Sequence, residues 1–323
     1  MSTLFINRFR KISYSLDHSK ALHSLLGIFR SGAIADKTRQ LEEIAINKHL
    51  SAHHSAWQTM FPPFPACPFA RRSVWREAMR GRRDAYLSRL IIETLQNVHI
   101  GTNLIVNPVA VFGGHARAIA HSLPTHQVLG TDIVSTWNRI YSIFCRIQLR
   151  RHRNYHFVRE NIFCPNYERK PITIIFFGAC GSLTDACIDY AIAVNSPFLI
   201  FHSCCHENIG GNTDLAKYAT LLNYGFRMKS FFLNRYKTRG RGFYFSDNYS
   251  QDAYPRSIFA RGISDSQEFC SIAKHALDSD VCRSIIDLDR CMFLHDHNYD
   301  VVYKEEVFFA IERNFRFQTI SIS

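Results

Sequence analysis

Hydrophobic and polar positions alternate along the chain in blocks that read as strand, helix, strand. Ile172–Phe177 and Pro197–His202 are short, apolar and rich in Ile and Phe, and Leu183–Val194 between them has crossover-helix spacing; the pattern predicts buried parallel strands. The same rhythm starts near Asn107. It predicts a strand at Val109–Phe112, a helix through Ala118–Leu123, a strand at Gln127–Asp132, a helix at Ser135–Arg150 and a strand near Tyr155–Val158. Residues 264–295 read as helical, and Asp300–Val307 and Phe315–Ile322 as strands close enough to pair antiparallel. The expected fold is α/β: a Rossmann-like, seven-stranded, mostly parallel sheet with a terminal antiparallel hairpin, helices on both faces and an N-terminal helical extension.

Ahead of this unit, residues 36–60 read as a helix ended by Pro62-Pro63-Phe64-Pro65, since proline breaks a helix and marks a linker. Three regions follow. Residues 1–35 hold Arg8, Arg10, Lys11, Lys20 and Arg30 against the single acid Asp17, the composition of an amphipathic targeting leader and equally of a basic helix. Residues 36–100 form a basic helical region, and residues 101–323 the α/β domain. Within that domain residues 210–262, with Lys237-Thr238-Arg239-Gly240-Arg241-Gly242, break the rhythm as a basic insertion.

At 323 residues the chain can bury one large α/β core and a smaller appendage. No apolar run reaches the length of a membrane span, so a soluble protein is expected. Ten cysteines lack paired CxxC spacing, which fits reduced thiols in an intracellular compartment, mitochondrial if the leader reading holds and otherwise cytoplasmic. The net charge of +12 and pI near 9.3 favour a polyanionic partner, RNA or a ribonucleoprotein first, because Lys and Arg release counterions at phosphates. The candidate contacts are Arg76, Arg80 and Arg83 in the segment 71–89, where arginines interleave with Trp75 and Tyr86, and Arg239 and Arg241 in the insertion. A solvated helix has the same appearance.

Open α/β sheets bind ligands at the carboxyl ends of their strands. Here those ends carry Gly178-Ala179-Cys180-Gly181 and Ser203-Cys204-Cys205-His206. GACGSLTDA, then a strand, then CCHENI resembles a motif pair in one group of class I S-adenosylmethionine-dependent methyltransferases, the methyltransferase-like 25 and tRNA ribose methyltransferase-related proteins. Ile286-Asp287-Leu288-Asp289-Arg290 with Asn298-Tyr299-Asp300-Val301-Val302 is similar to a late element of that group. The resemblance extends over roughly residues 75 to 323 and implies S-adenosylmethionine as cofactor.

In such proteins a glycine-rich turn follows the first strand, and an acid at the end of the second accepts the ribose hydroxyls. Asp132, followed by Ile133, fits the acid. The turn departs from the family's D-x-G-x-G-x-G: Gly113 and Gly114 are present, while Val111, His115 and Arg117 stand where the acid and two glycines belong. Two readings stay open, a turn that still binds cofactor with Cys180 and Gly181 nearby, and a plugged scaffold. The resemblance puts Cys204, Cys205 and His206 against the methyl acceptor, with His206 as proton acceptor and Glu207 or Asn208 orienting the substrate. Cys204 and Cys205 also fit as small strand-end residues. Adjacent cysteines rarely converge on one tetrahedral ion, so no metal is expected. Asp185 reads as a helix N-terminal acid, and Asp289–Arg290 as a local ion pair holding the last helix. The implied function is methyl transfer to RNA; the alternative is a catalytically inactive methyltransferase-like structural or assembly protein of an organellar ribonucleoprotein.

Overall fold

The structure is a computed structural model and describes residues 18–32, 92, 95, 104–110, 114–132, 153–204, 206, 209, 251–276, 279–304 and 307–314. Seven strands form one sheet: β1 (Leu104–Asn107), β2 (Gln127–Asp132), β3 (Tyr155–Arg159), β4 (Thr173–Cys180), β5 (Phe198–Cys204), β6 (Tyr299–Lys304) and β7 (Val307–Glu312). Their order is β3-β2-β1-β4-β5-β7-β6. The first five are parallel, and β7 runs antiparallel between β5 and β6. This is the Rossmann-like sheet with a reversed terminal hairpin that the pattern predicts.

Alternation along the strands sends successive side chains to opposite faces. Ile105, Ile175, Phe198 and Ile200 meet α2 (Gly114–Ser122) through Ala116, Ile119 and Ala120. Val106, Ile174, Phe176, Leu199 and Phe201 meet α3 (Ser182–Ala193) and the last helix through Ala186, Cys187, Ile188, Cys291 and Leu294. Both faces are therefore buried, which explains why the central strands are continuously apolar. Gly130 on β2 is required by its neighbour: a Cβ there would stand 2.7 Å from the Tyr155 hydroxyl and 3.3 Å from the Ala110 Cβ.

Two strands lie elsewhere than expected. The first is Leu104–Asn107, not Val109–Phe112. Ile105 and Val106 are fully buried between β2 and β4. Pro108 then has no N–H to offer a ladder, and Val109 adopts φ 54°. The return strand of the hairpin is Val307–Glu312, not Phe315–Ile322. Lys304 pairs with Val307, so only Glu305 and Glu306 separate the two strands, and the predicted strand Asp300–Val307 ran across the reversal; residues 315–323 lie outside the described residues. The predicted helix Ser135–Arg150 lies outside them as well.

The helical stretch 264–295 is two helices, α5 (Ser266–His275) and α6 (Asp280–Asp296), divided at Ser279, whose hydroxyl caps α6 by accepting from the Cys282 N–H at 3.3 Å. With α4 (Ile258–Ile263) and the N-terminal α1 (His18–Arg30) they form a helical cap around Tyr254, Phe269, Ile272, Ile285 and Leu288. Leu22 and Leu26 of α1 are each 1% exposed in that cap. Arg30 makes a forked pair with Glu268 at 2.6 and 2.7 Å and also donates to the Ile263 carbonyl. No helix among the described residues is long and apolar enough to cross a membrane.

Because Leu26 is enclosed by the cap, Leu26→Ala should cost about 2–5 kcal/mol of unfolding free energy. Urea denaturation measures it, and a loss below about 0.5 kcal/mol would show that α1 does not stabilise the domain.

Candidate functional site

The carboxyl ends of β1, β2, β4 and β5 converge on one edge of the sheet. β1 ends at Asn107, whose buried side-chain amide donates to the Ile175 carbonyl of β4 at 2.6 Å. The chain then crosses the end of β2, where the Ala110 N–H donates to the Thr131 carbonyl at 2.9 Å. Val109 holds φ 54° in this turn, a left-handed conformation that costs a β-branched residue about 1–2 kcal/mol. α2 starts at Gly114.

Asp132 closes β2 and is 7% exposed. His115, in the first turn of α2, packs against Phe177 of β4 with ring centroids 4.8 Å apart and the ring planes tilted by 42°. β2 and β4 flank β1 on opposite sides, so the His115 ring packs on the β4 side while Asp132 belongs to the β2 side. Arg117 is buried. Gly113 and Ile133 lie outside the described residues, as do Arg76, Arg80, Arg83, Arg239 and Arg241.

At the end of β4 the chain turns sharply. Gly181 has φ 56° and ψ −122°, a region that only glycine enters readily. The turn is held by the Thr184 N–H donating to the Gly181 carbonyl at 3.1 Å and by the Thr184 hydroxyl donating to the Ala179 carbonyl. Asp185 follows in the first turn of α3, but it points inward and is 0% exposed.

Its partner is Arg290 of α6, 1% exposed, which pairs with Asp185 and not with its own neighbour Asp289. The Arg290 Nε donates to Asp185 Oδ1 at 2.9 Å and Nη2 to Oδ2 at 3.2 Å. Nη2 also donates to the Gly181 carbonyl at 3.0 Å, and Nη1 to the Ser203 hydroxyl of β5 at 3.1 Å. Tyr254 adds a hydroxyl donor to Asp185 Oδ2 at 2.8 Å. Burial opposes the Arg290 charge, yet Asp185 and Asp287 outweigh it and hold the guanidinium protonated. Burial pushes the Tyr254 hydroxyl well above its ordinary range, with Asp185 adding to the shift, so it remains a donor.

Asp287, one turn before Arg290 on α6, completes the cluster. Its Oδ1 lies 2.8 Å from His206 Nε2 and 3.5 Å from Arg290 Nη1. Burial acts against the carboxylate charge, but His206, Arg290 and the Ser203 hydroxyl together hold Asp287 below the usual carboxylate range. Asp289 instead accepts from the Arg256 and Ser257 N–H groups, both at 2.8 Å, and so anchors the start of α4. Burial dominates there and raises its carboxyl. The expected Asp289–Arg290 pair is thus replaced by Asp185–Arg290, because i and i+1 on a helix face different directions whereas Asp287 and Arg290 share a face.

The structure therefore joins the LTD, HSCCH and IDLDR segments at one buried centre. Of the expected acceptor-site residues, His206 is 5% exposed and belongs to it. Cys204 ends β5, its backbone paired with Cys180 of β4; Cys205, Glu207 and Asn208 lie outside the described residues. Ser203 and Asp287 lie in motifs quoted from the sequence but carried no role there, and Tyr254 was not singled out at all. The i, i+3 spacing of Asp287 and Arg290 was the available signal for one of them, whereas nothing local announced Tyr254. Among the described residues no group of three or more His, Cys, Asp or Glu is arranged to hold a metal.

No protein-family model matches the chain, and no curated protein matches it. Solved structures do. The antibiotic-resistance methyltransferase Kmr aligns at 14% identity over 32% of this chain and 54% of its own, with a TM-score of 0.26. Magnesium protoporphyrin IX methyltransferase from Synechocystis PCC 6803, with bound SAH, aligns at 10% identity over 72% and 84%, TM-score 0.38. The CurJ carbon methyltransferase aligns at 10% identity over 71% and 54%, TM-score 0.38. This chain spans about half the length of the first and third. The fold assignment rests on the strand order itself.

Replacing Arg290 by Met strands a fully buried Asp185 charge and should cost about 3–5 kcal/mol. Asp185→Asn should be similarly severe, and the double variant should lose clearly less than the two single losses added together; strict additivity in urea denaturation would dissolve the pair. The lowered Asp287 carboxyl contributes stability that is fully present above the ordinary carboxylate range, near about 3.9, and is lost as pH falls through its lowered value. Asp287→Asn should therefore flatten the acid limb of stability against pH, and an unchanged limb would show that Asp287 does not carry it.

Proposed function

We propose that this chain is an S-adenosylmethionine-dependent methyltransferase acting on RNA. The observation that carries the reading is Asp132 at the end of β2, beside the β1–α2 turn of a sheet ordered β3-β2-β1-β4-β5-β7-β6. A buried carboxylate at that strand end suits the two hydroxyls of a ribose. His115 packs on Phe177 on the β4 side, which suits a ligand held at Asp132 on the β2 side. Gly113 and Gly114 would let the backbone approach the ligand, and Ile133, Cys180 and Gly181 would border it. When bound, the cofactor supplies an electrophilic methyl group.

The chain's own work is then to hold the acceptor in line, exclude water and take up one proton. His206 is the base in this reading, and Cys204 and Cys205 line the acceptor side. Arg76, Arg80, Arg83, Arg239 and Arg241 hold the phosphates. The leader reading for residues 1–35 overlaps α1; given the burial of Leu22 and Leu26, processing on entry to a mitochondrion would fall before His18.

A second reading, the inactive methyltransferase-like component of an organellar ribonucleoprotein, is favoured by Val109, a β-branched residue at φ 54° in a turn that cofactor binding normally fills with glycine.

Calorimetry decides between them. The first reading expects both S-adenosylmethionine and S-adenosylhomocysteine to bind the wild type and Asp132→Ala to weaken each about tenfold or more; no heat from either ligand leaves only the scaffold. Combined substitution of Arg76, Arg80 and Arg83 by Ala should lower RNA affinity and shrink its salt dependence by about 0.7 in slope per lost contact on single strands.

A further inference from the structure

We propose that Asp287 is a positioning residue for His206, fixing the imidazole with its proton on Nε2 and its lone pair on Nδ1, the atom that takes the proton from the methyl acceptor. The inference deepens the methyl-transfer reading, on which the use of His206 as a base rests.

The geometry carries it. His206 Nε2 and Asp287 Oδ1 are 2.8 Å apart. A carboxylate flanked by Arg290 and the Ser203 hydroxyl is an acceptor only, so the nitrogen facing it must be the one that bears hydrogen. No other hydrogen bond to the His206 ring occurs among the described residues. That leaves Nδ1 with the lone pair of the neutral imidazole.

Both sides of this contact are immobilised. Asp287 sits on α6, whose two faces are packed by the sheet through Cys291 and Leu294 and by the cap through Ile285, Ile286 and Leu288. The carboxylate is further braced by Arg290, itself fixed by Asp185, the Gly181 carbonyl and Ser203. His206 comes two residues after the end of β5, and the Ile209 N–H donates to the His206 carbonyl at 3.2 Å. Ile209 is buried in the cap. A charge-bearing hydrogen bond with both partners held in this way selects one tautomer and one ring orientation.

The step balances simply. The acceptor hydroxyl or amine gives its lone pair to the methyl carbon, the bond from that carbon to the cofactor sulfur breaks, and the acceptor proton passes to His206 Nδ1. The imidazolium then carries hydrogen on both nitrogens with Asp287 opposite its charge, and bulk water accepts the proton afterwards.

The test uses the full chain labelled with ¹⁵N-histidine, the His206 signals being identified by their loss in His206→Gln. Spectra are taken across a pH series, and in the neutral form of the ring the wild type should show Nε2 protonated and Nδ1 bare. Asp287→Asn, with folding verified by circular dichroism, should show mixed tautomers, since an amide can either accept from or donate to Nε2. Protonation of Nδ1 in the wild type, or an unchanged spectrum in the variant, would overturn the proposal.

The kinetic arm follows labelled S-adenosylmethionine into total cellular RNA. Asp287→Asn should lower turnover about 10–100-fold with cofactor affinity in calorimetry unchanged, and Asp287→Glu should recover part of the loss. Undiminished turnover would overturn the positioning role. Wild-type protein that gives no heat with S-adenosylmethionine sinks the methyl-transfer reading and the base role with it, whereas cofactor binding with the wrong tautomer sinks the positioning alone.

Discussion

A guanidinium and a carboxylate that water does not reach hold this domain's site end together. Removing both charges from solvent is costly, and the attraction between Asp185 and Arg290 compensates only if the remaining donors are also used. They are: Asp185 takes two bonds from Arg290 and one from Tyr254, and Arg290 spends the rest on the Gly181 carbonyl, Ser203 and Asp287. These partners come from the β4–α3 turn, the end of β5 and the last helix. The interaction therefore fixes the relative position of the strand ends where an α/β sheet presents its ligands.

The helical cap is built onto the same centre. Tyr254 reaches Asp185 from the segment preceding α4, Arg256 bonds the Asp185 carbonyl at 3.2 Å, pairs with Asp189 and lies 4.0 Å over the Phe293 ring. Asp289 and Asp296 satisfy the free N–H groups at the start of α4. The acids of α6 thus divide their work. Asp287 faces the site, Asp289 secures the cap, and Asp296 extends that anchorage, while α1 seals the outer surface of α6 with Leu22 and Leu26.

Much of the sheet was legible because its central strands are buried on both faces and read as short Ile- and Phe-rich runs. β2, β3 and β5 stand within a residue or two of their expected bounds, whereas β4 runs three residues further, to Cys180. β1 and β7 moved for local reasons. Leu104–Asn107 is four residues long, no longer than the apolar Val109–Phe112 beside it, so hydrophobic pattern alone did not choose between them, and a link of two residues hid a chain reversal inside a run of strand formers.

Sequence by itself determined the α/β class, five of the seven strands and the two strand-end clusters, since hydrophobic period and glycine placement are local properties of the chain, whereas the order of the strands in the sheet is not. The segments that carry the resemblance were also visible as separate pieces. Only the tertiary structure decided what they do to one another: that Asp185 turns inward to Arg290, that Asp289 leaves its neighbour to hold the two residues ahead of α4, and that Asp287 meets His206. Those pairings join residues from 32 to 105 positions apart, and side-chain chemistry over such separations is set by which faces the packed helices turn toward the sheet, not by any pattern within a single segment.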